Sequence, residues 1–395
     1  MSEWKKVSLS EMGTVSRGKS KHRPRNDARL FGGRYPFIQT GDIGAAGLYV
    51  TNYSQTYNEE GLAQSKLWAK DTLCITIAAN IADTALLAFP ACFPDSIMGF
   101  IPYKDVSNVK YVKYCFDILK KDCQLISQGT AQDNLSWKKL STIKFPCPPL
   151  EVQNRIATIL SRYDSLIENY QKQIKLLEEA AQRLYKEWFV DLHFPGHENV
   201  KIVDGVPEGW EKKTISQLGE YLNGFAFKPS DWQESGKPII KIKEMGNGVS
   251  NDTPRNNGER VPAKYLVKAG DLLFSWSATL MVIVWSGEEG WLNQHLFKVT
   301  PAKGIGREFL LQSISNTIEE FLNLTTGSTM KHIQRNKLDQ VFVNVPNDKI
   351  MKLYDHVAEK MRDEILHLSS QIRLLTEARD RLLPKLMSGE IKVEF

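Results

Sequence analysis

The first residue pattern with a chemical meaning lies near the amino terminus. Gly13, Gly18, Lys19 and Ser20 match the phosphate-binding loop pattern GxxxxGK[ST] letter for letter. That loop holds a nucleotide only where it follows a buried strand and opens a helix, because backbone N–H groups at the helix end bind the phosphates. The residues before Gly13 form a weak strand at best, and those after Ser20 include Pro24 and show no apolar helix face. We therefore expect no ATP site here.

Catalytic groupings of other kinds are missing from the sequence. It contains no HExxH, GxSxG or [N/D]PP[Y/F] motif, its seven histidines are scattered, and its five cysteines form no CxxC pair. Asp42 and Glu244 occupy matching places in the two halves of the chain, but one acid per half cannot supply both an acid and a base. The sequence predicts a non-catalytic protein with no metal site and no disulfide framework.

Basic side chains are concentrated in one segment. Residues 1–150 carry 19 Lys or Arg against 13 Asp or Glu, whereas the rest of the chain is nearly neutral. Between Arg17 and Arg34 seven basic residues face Asp27 alone, and Pro24 with two glycines predicts an extended loop. Such a loop on a nearly neutral protein indicates contact with phosphates. The DNA-contact candidates in this loop are Arg17, Lys19, Lys21, Arg23, Arg25, Asn26 and Arg29.

Amide, aromatic and further basic side chains recur at matching places in both halves of the chain. Amides and Arg or Lys form paired hydrogen bonds with the edges of adenine and guanine, and Lys, Ser and Thr bind phosphates. We therefore predict DNA contacts from both halves. In the first half the candidates are Gln39, Thr40, Asn80, Gln132 and Asn134, and in the second half they are Lys228, Lys241, Lys243, Trp276, Asn293, Gln294, His295, Lys331 and His332.

The elements that would position these residues occur twice, as an internal repeat of the sequence. The opening Trp4…Gly13 recurs as Trp210…Gly219, with the same nine-residue step. A later segment, QIKLLEEAAQRL, recurs 198 residues downstream as QIRLLTEARDRL and is identical at eight of twelve positions. The repeating unit is a globular domain of about 150 residues followed by a long helix. The domains have largely diverged, whereas the helices remain similar.

Both helices carry an apolar stripe with heptad spacing, which must be buried against a partner. The other helix of the same chain is the economical partner, so we predict that the two copies form a coiled coil. At 1.5 Å per residue the first helix is roughly 57 Å long. The predicted seam residues are Ile167, Tyr170, Ile174, Leu177 and Leu184 in the first helix and Ile365, Leu368, Ile372, Leu375 and Leu382 in the second.

The composition limits the class of protein. The chain has 395 residues, of which 42% are hydrophobic and 25% charged, as in soluble globular proteins. No apolar run approaches the roughly 18 residues of a membrane span, and the amino terminus lacks the apolar segment of a secretory signal. We expect a cytoplasmic protein that contacts no membrane.

Short β-like runs mixed with short helices predict an α+β fold. We assign a first domain to residues 1–148, the first helix to 149–194, a second domain to 195–345 and the second helix to 346–395. The clearest predicted strands are 35–39, 72–77, 238–242, 271–275, 281–285 and 298–300, and the clearest short helices are 112–120 and 309–321.

This order of domain, helix, domain and helix resembles the DNA-specificity subunit of type I restriction–modification systems. The residues that carry the resemblance are the paired Trp…Gly openings, the closings Gly129-Thr…Lys139-Leu and Gly327-Ser…Lys337-Leu, and the helix after PPLEVQNRIA. The terminal segment LLPKLMSGEI completes the pattern, which covers essentially the whole chain. The second helix lacks the fuller PPLExQ opening, and only the first domain has the basic loop.

The resemblance implies two target-recognition domains, each of which reads one half of a bipartite, asymmetric site in double-stranded DNA. The helices would pair as an antiparallel coiled coil and act as a spacer that fixes the unread gap. Two adenine-methyltransferase subunits would dock on the helices, and two motor-nuclease restriction subunits would complete the complex. S-adenosylmethionine, ATP and Mg²⁺ would belong to those partners, with no cofactor in this chain.

Two alternatives remain at this point. One is a non-catalytic scaffold whose helices dock proteins and whose domains read no specific DNA. The other is an ATP-dependent enzyme built on the Gly13–Ser20 segment, which the substitution Lys19→Ala would distinguish.

Overall fold

The computed structural model describes residues 4–128, 134–324 and 335–393. The chain divides into two compact units, Met1–Asn169 with Leu374–Phe395 and Tyr170–Arg373. Each unit contains one mixed α/β domain and part of each long helix. The fold is therefore α+β with an internal repeat, as the sequence predicts.

The first unit is built on an open sheet whose central strands are buried on both faces. Its five strands lie in the order Gly13–Arg17, Ile97–Pro102, Leu73–Thr76, Thr84–Leu87 and Tyr49–Val50. A second sheet has the order Gln55–Tyr57, Phe31–Phe37, Ala91–Cys92 and Leu67–Trp68, and a two-stranded ribbon pairs Lys5–Val7 with Phe145–Cys147. The helices are Leu9–Met12, Ala28–Leu30 (a 3-10 turn), Thr40–Ala45, Glu59–Ala63, Val109–Ser127 and Trp137–Leu140.

The second unit repeats this plan. Its first sheet has the order Gly219–Asn223, Leu296–Pro301, Leu272–Ser275 and Met281–Val284, and its second sheet Arg255–Asn256, Lys237–Ile240, Gly290–Leu292 and Leu266–Val267. Two-stranded ribbons pair Glu211–Thr214 with Phe342–Val345 and Ile202–Val203 with Val206–Pro207. The α-helices are Ile242–Asn247, Arg307–Asn316 and Ile318–Asn323, and 3-10 turns span His197–Asn199, Ile215–Leu218, Pro229–Asp231, Ala263–Tyr265 and Arg335–Asp339.

Strand order and direction agree between the two units. In both, the first sheet pairs its corresponding four strands antiparallel. In both, the second sheet contains one parallel pair, Phe31–Phe37 with Ala91–Cys92 and Lys237–Ile240 with Gly290–Leu292. The duplication seen in the sequence is thus a duplication of topology.

The first long helix spans Leu150–Tyr185 and continues into a short π-helical turn, Lys186–Val190. The second long helix spans Asp348–Met387. Within each unit the two helices run antiparallel. In the first unit Asp164 contacts Arg379, and in the second unit the rings of Tyr185 and Tyr354 are 6.5 Å apart.

The heptad residues lie on the sheltered side of both helices. Ile365 and Leu368 are each 4% exposed. The remaining seam candidates are half-buried, and they are Ile167, Tyr170, Ile174, Leu177, Leu184, Ile372, Leu375 and Leu382. Burial of an apolar stripe on both helices is what the 3-4 spacing favours.

Two differences between the predicted and observed elements have a clear physical reason. The basic segment is not one extended loop, because its ends join the strands Gly13–Arg17 and Phe31–Phe37. The predicted helix 309–321 is broken at Thr317, whose hydroxyl donates to the carbonyl of Ser313 and competes with the helical pattern. Among the described residues no helix is long and apolar enough to span a bilayer.

Candidate nucleic-acid interface

The basic loop of the first unit rests on the loop that precedes the strand Ile97–Pro102. The N–H of Gly18 donates to the carbonyl of Ile97 at 2.8 Å, and the N–H of Lys19 donates to Phe93 at 3.1 Å. A Cβ atom at position 18 would lie 2.2 Å from the carbonyl oxygen of Pro94, so only glycine fits. Gly18 is therefore required for backbone packing.

This geometry is not that of a phosphate-binding loop. Gly13–Arg17 within the pattern is itself a strand, and the residues that follow Ser20 form turns before the short 3-10 turn Ala28–Leu30. The strand, loop and helix that would aim backbone N–H groups at a phosphate are not formed here.

Acidic side chains form ion pairs with some of the basic residues in this loop and neutralise their charge. Asp95 binds Arg25 at 2.5 Å and lies 3.7 Å from Arg23. Asp27 accepts hydrogen bonds from Arg29 and lies 2.8 Å from the ring of His22. The bonds from Arg29 hold the pKa of the Asp27 carboxyl well below its usual range. These basic residues are therefore held in place by internal contacts.

Three basic side chains of the loop are left uncompensated. Arg17, Lys19 and Lys21 are exposed, and within the described ranges no carboxylate lies within ion-pair distance of them. Such side chains attract phosphates and can bind them without first breaking an ion pair within the protein. They form the strongest candidate phosphate contact of the first unit.

The polar candidates of the first unit converge near one end of its larger sheet. Asn80 lies in the turn after Leu73–Thr76, in a left-handed conformation with φ of 38°. A Cβ built on Gly44, in the helix that Thr40 begins, would lie 3.3 Å from the Asn80 amide nitrogen. Leu135, next to Asn134, donates its N–H to Ile77 at 2.9 Å.

The basic loop adjoins this polar end. The N–H of Ile77 donates to the carbonyl of Ser96 at 3.0 Å, and residues 93–96 carry the basic loop on their other side. Gln39 is exposed, and its amide donates to Gln55 at 2.6 Å. Arg17, Asn80 and their neighbours thus belong to one continuous region of the first unit. Gln132 lies outside the described residues.

Asp42 and Glu244, the acids that recur in both halves, cap the amino-terminal ends of short helices. The Asp42 carboxylate accepts the backbone N–H of Gln39 at 2.8 Å, and Glu244 accepts that of Lys241 at 3.1 Å. Each is the third residue of a short helix and completes the capping box at its amino-terminal end. Their recurrence follows from the duplicated backbone.

The second unit presents aromatic rings where the first presents charge. The Trp276 ring lies 5.9 Å from His295 and 6.0 Å from Phe297, and its indole N–H donates to Asn223 at 3.3 Å. Gly224 occupies the position equivalent to Gly18. A Cβ atom there would also be too close to the backbone, since it would lie 2.1 Å from the carbonyl oxygen of Asn293. The same backbone frame therefore carries a different surface.

The remaining candidates of the second unit are dispersed. Asn293 is 6% exposed and accepts the N–H of His295, so it supports a turn instead of facing outward. Gln294 is half-buried, and its amide lies 3.4 Å from the His295 ring. Lys228 and Lys243 are exposed. Lys331 and His332 lie outside the described residues.

Sequence reasoning missed Trp232, which is 50% exposed. The Lys241 ammonium lies 5.4 Å from the centre of its ring, a cation–π arrangement that fixes both side chains at the surface. The spacing of the two residues in the sequence does not predict this contact. Across the described ranges no three His, Cys, Asp or Glu side chains group closely enough to hold a metal ion.

Two units define a duplicated module, since each contains an α/β domain of the same topology together with antiparallel segments of the two long helices. The chain matches the family described as type I restriction modification DNA specificity domain twice, over residues 1–179 and 207–360. Since these matches cover most of the sequence, the chain belongs to this family. Its role is DNA sequence specificity in a restriction–modification system, and the family is non-catalytic.

Relatives extend along the whole chain. The MjaIX specificity subunit of Methanocaldococcus jannaschii is 25% identical over 99% of this chain and 94% of its own length. The HindI specificity subunit of Haemophilus influenzae is 23% identical over 99% of this chain and 100% of its own. The crystal structure of a type I S subunit from M. genitalium shares the fold, with a TM-score of 0.61 at 15% identity over 97% of this chain and 96% of the other.

Proposed function

We propose that each recognition domain reads one half of a bipartite, asymmetric DNA site and that the chain thereby directs adenine methylation. The observation that carries this proposal is one backbone frame with two different surfaces, the uncompensated basic loop around Lys19 and the aromatic cluster around Trp276. Two unlike surfaces on equivalent frames are suited to two unlike half-sites.

Two equivalent grooves support docking of two copies of one partner, the methyltransferase subunit. A groove of about 680 Å³ in the first unit is lined by Ile159 and Leu382, among others. A groove of about 490 Å³ in the second unit is lined by Val357 and Leu184. These residues are related by the 198-residue repeat, so the same helix positions line both grooves. A duplicated surface suits a duplicated partner.

The other components belong to the same proposal. Two motor-nuclease subunits would complete a restriction complex in the cytoplasm. S-adenosylmethionine would be bound by the methyltransferase subunits, and ATP and Mg²⁺ would serve the partners. This chain would supply contacts to double-stranded DNA and hold the partners in register.

The test is to co-express the chain with a cognate methyltransferase subunit and to map methylated adenines by long-read sequencing of the host genome. We expect one interrupted motif, modified on both strands and lost when this chain is omitted. Lys19→Ala serves as a matched control for nucleotide binding, and it should weaken methylation without abolishing it. A stable copurified complex that methylates no motif would contradict the proposal and favour the scaffold.

A further inference from the structure

A buried polar contact anchors the recognition domain of the first unit to both long helices. Asp164 of the first long helix is 8% exposed. It accepts a hydrogen bond from the hydroxyl of Tyr114, on the recognition-domain helix Val109–Ser127. Arg379 of the second long helix donates to its other oxygen at 2.7 Å. One carboxylate therefore joins three helices.

The second unit is anchored at the corresponding place by an ion pair. Arg362 of the second long helix is 6% exposed and donates to both oxygens of Glu308 at 2.7 and 3.2 Å. Glu308 is fully buried on the recognition-domain helix, where Gln312 also donates to it at 2.7 Å. Burial raises the pKa of the Glu178 carboxyl on the first long helix, and Arg362 opposes that shift.

The two anchors have opposite polarity at equivalent positions. The 198-residue repeat relates Asp164 to Arg362, so the same place on the long helix is an acid in one unit and a base in the other. It also relates Lys110 to Glu308 on the recognition-domain helices. Ala181 occupies the position equivalent to Arg379.

Exchanging the domains would remove the charge complementarity of both anchors. The second recognition domain, placed on the helices of the first unit, would bring Glu308 close to Asp164. The first domain, placed on the helices of the second unit, would leave Arg362 without a carboxylate. A buried charge that has lost its partner is strongly destabilising, because neither water nor an ion pair compensates it.

We propose that this inverted polarity assigns each recognition domain to its own part of the helical pair and rejects the other. The order of the domains in the chain would then fix the order in which the two half-sites are read. That consequence for DNA rests on the proposed function, whereas the docking preference does not.

The experiment uses a full-length chimera in which a second copy of residues 210–346 replaces residues 4–148. Both positions in the chain then carry the second recognition domain. A second version adds Asp164→Arg, Thr376→Glu and Arg379→Ala, which give the helices of the first unit the charges found in the second. The same three substitutions are made in the intact chain. Thermal unfolding of all four proteins is measured without DNA.

We expect the three substitutions to act with opposite signs in the two backgrounds. The unfolding midpoint of the intact chain should fall by about 10 °C, and that of the chimera should rise by a similar amount. A shift of the same sign in both chains would overturn the proposal. So would a chimera that stays unfolded, or unchanged, with the substitutions present.

A charge reversal within one anchor supplies the matched control. Glu308→Arg and Arg362→Glu should each lower the midpoint, and the double variant should recover most of the loss if the pair acts through its charges. Loss of methylation in a chimera that meets the stability expectation would contradict the proposed function alone, because stability is read without DNA.

Discussion

At the scale of single residues, the candidate DNA interface of the first unit depends on which basic side chains have internal partners. The sequence shows seven basic residues between Arg17 and Arg34, but Asp27, Glu59 and Asp95 hold several of them. The uncompensated side chains are those that can release counterions from DNA at no internal cost.

The triple variant Arg17→Ala, Lys19→Ala, Lys21→Ala should therefore bind DNA less tightly, with a weaker dependence on salt. If each side chain contacts one phosphate, the slope of log K against log salt should shrink by about 3. The measurement is a titration of the methyltransferase complex between about 50 and 200 mM salt. Arg34→Ala with Glu59→Ala is the control, since it removes an internal ion pair of the same segment at constant net charge. An unchanged slope in the triple variant would contradict the assignment.

A second residue-scale effect concerns Asp355 on the second long helix. Burial, together with the nearby Glu359, raises the pKa of the Asp355 carboxyl to about 6. Its Oδ1 atom is buried, with no hydrogen-bond partner among the described residues. The folded protein holds a proton there that the unfolded chain, with a pKa near 3.8, has already lost. The free energy of unfolding should therefore decrease as the pH rises from about 4 to about 6.

Asp355→Asn should remove this dependence and stabilise the protein at pH 7 by about 1 kcal/mol, after allowance for solvent screening. Thermal unfolding between pH 4.5 and 7.5 measures it. Glu364→Gln, an exposed carboxylate change on the same helix, should leave the pH profile as it is. Equal profiles for Asp355→Asn and the unmodified chain would refute the burial argument.

At the scale of elements, the loops that carry the candidate contacts are held by glycines at close backbone crossings. Gly18 and Gly224 occupy equivalent places, and each faces a carbonyl oxygen at a distance that no Cβ atom tolerates. The loops differ in sequence and charge, yet their bases are fixed by the same crossing.

Gly18→Ala should cost about 1–3 kcal/mol of unfolding free energy, because the new Cβ displaces the backbone at Pro94. Gly224→Ala should behave alike. The control is Gly41→Ala, in a short helix with no atom within 4 Å of the new Cβ, which should be neutral or slightly stabilising. Denaturant unfolding measures all three. A Gly18→Ala protein as stable as Gly41→Ala would show that the loop is free to move.

At the scale of the whole molecule, the proposed spacer role of the duplicated helices makes the length of the unread gap depend on the length of the helices. The first long helix has 36 residues and the second 40. Their seam residues repeat through both units, so added heptads preserve the apolar stripe.

One heptad inserted after Gln173 and another after His367 lengthens the paired helices by about 10 Å, which corresponds to about three base pairs. We expect the unread gap of the methylated motif to grow by that number while both half-sites stay the same. Methylome sequencing reads the gap directly. Seven residues inserted after Gly205, in an exposed turn, should leave it unchanged. A constant gap in the helix variant would exclude the spacer role.

The duplication, the long amphipathic helices and the mixed α/β class can be predicted from the amino-acid sequence alone. These follow from local signals, because a 3-4 apolar rhythm and a recurring Trp…Gly opening are visible without knowing any contact. The family resemblance rests on the same repeated order, and the family match confirms it.

Tertiary structure alone decided what the charged and polar side chains do. Spacing could not show that Asp95, 70 residues from Arg25, neutralises part of the basic loop. Nor could it show that the glycine of an apparent phosphate loop serves a backbone crossing, or that Asp164 and Arg362 are buried anchors of opposite sign. The physical reason is that a charge acts through the partners and burial it acquires on folding, and contacts between residues distant in sequence supply both.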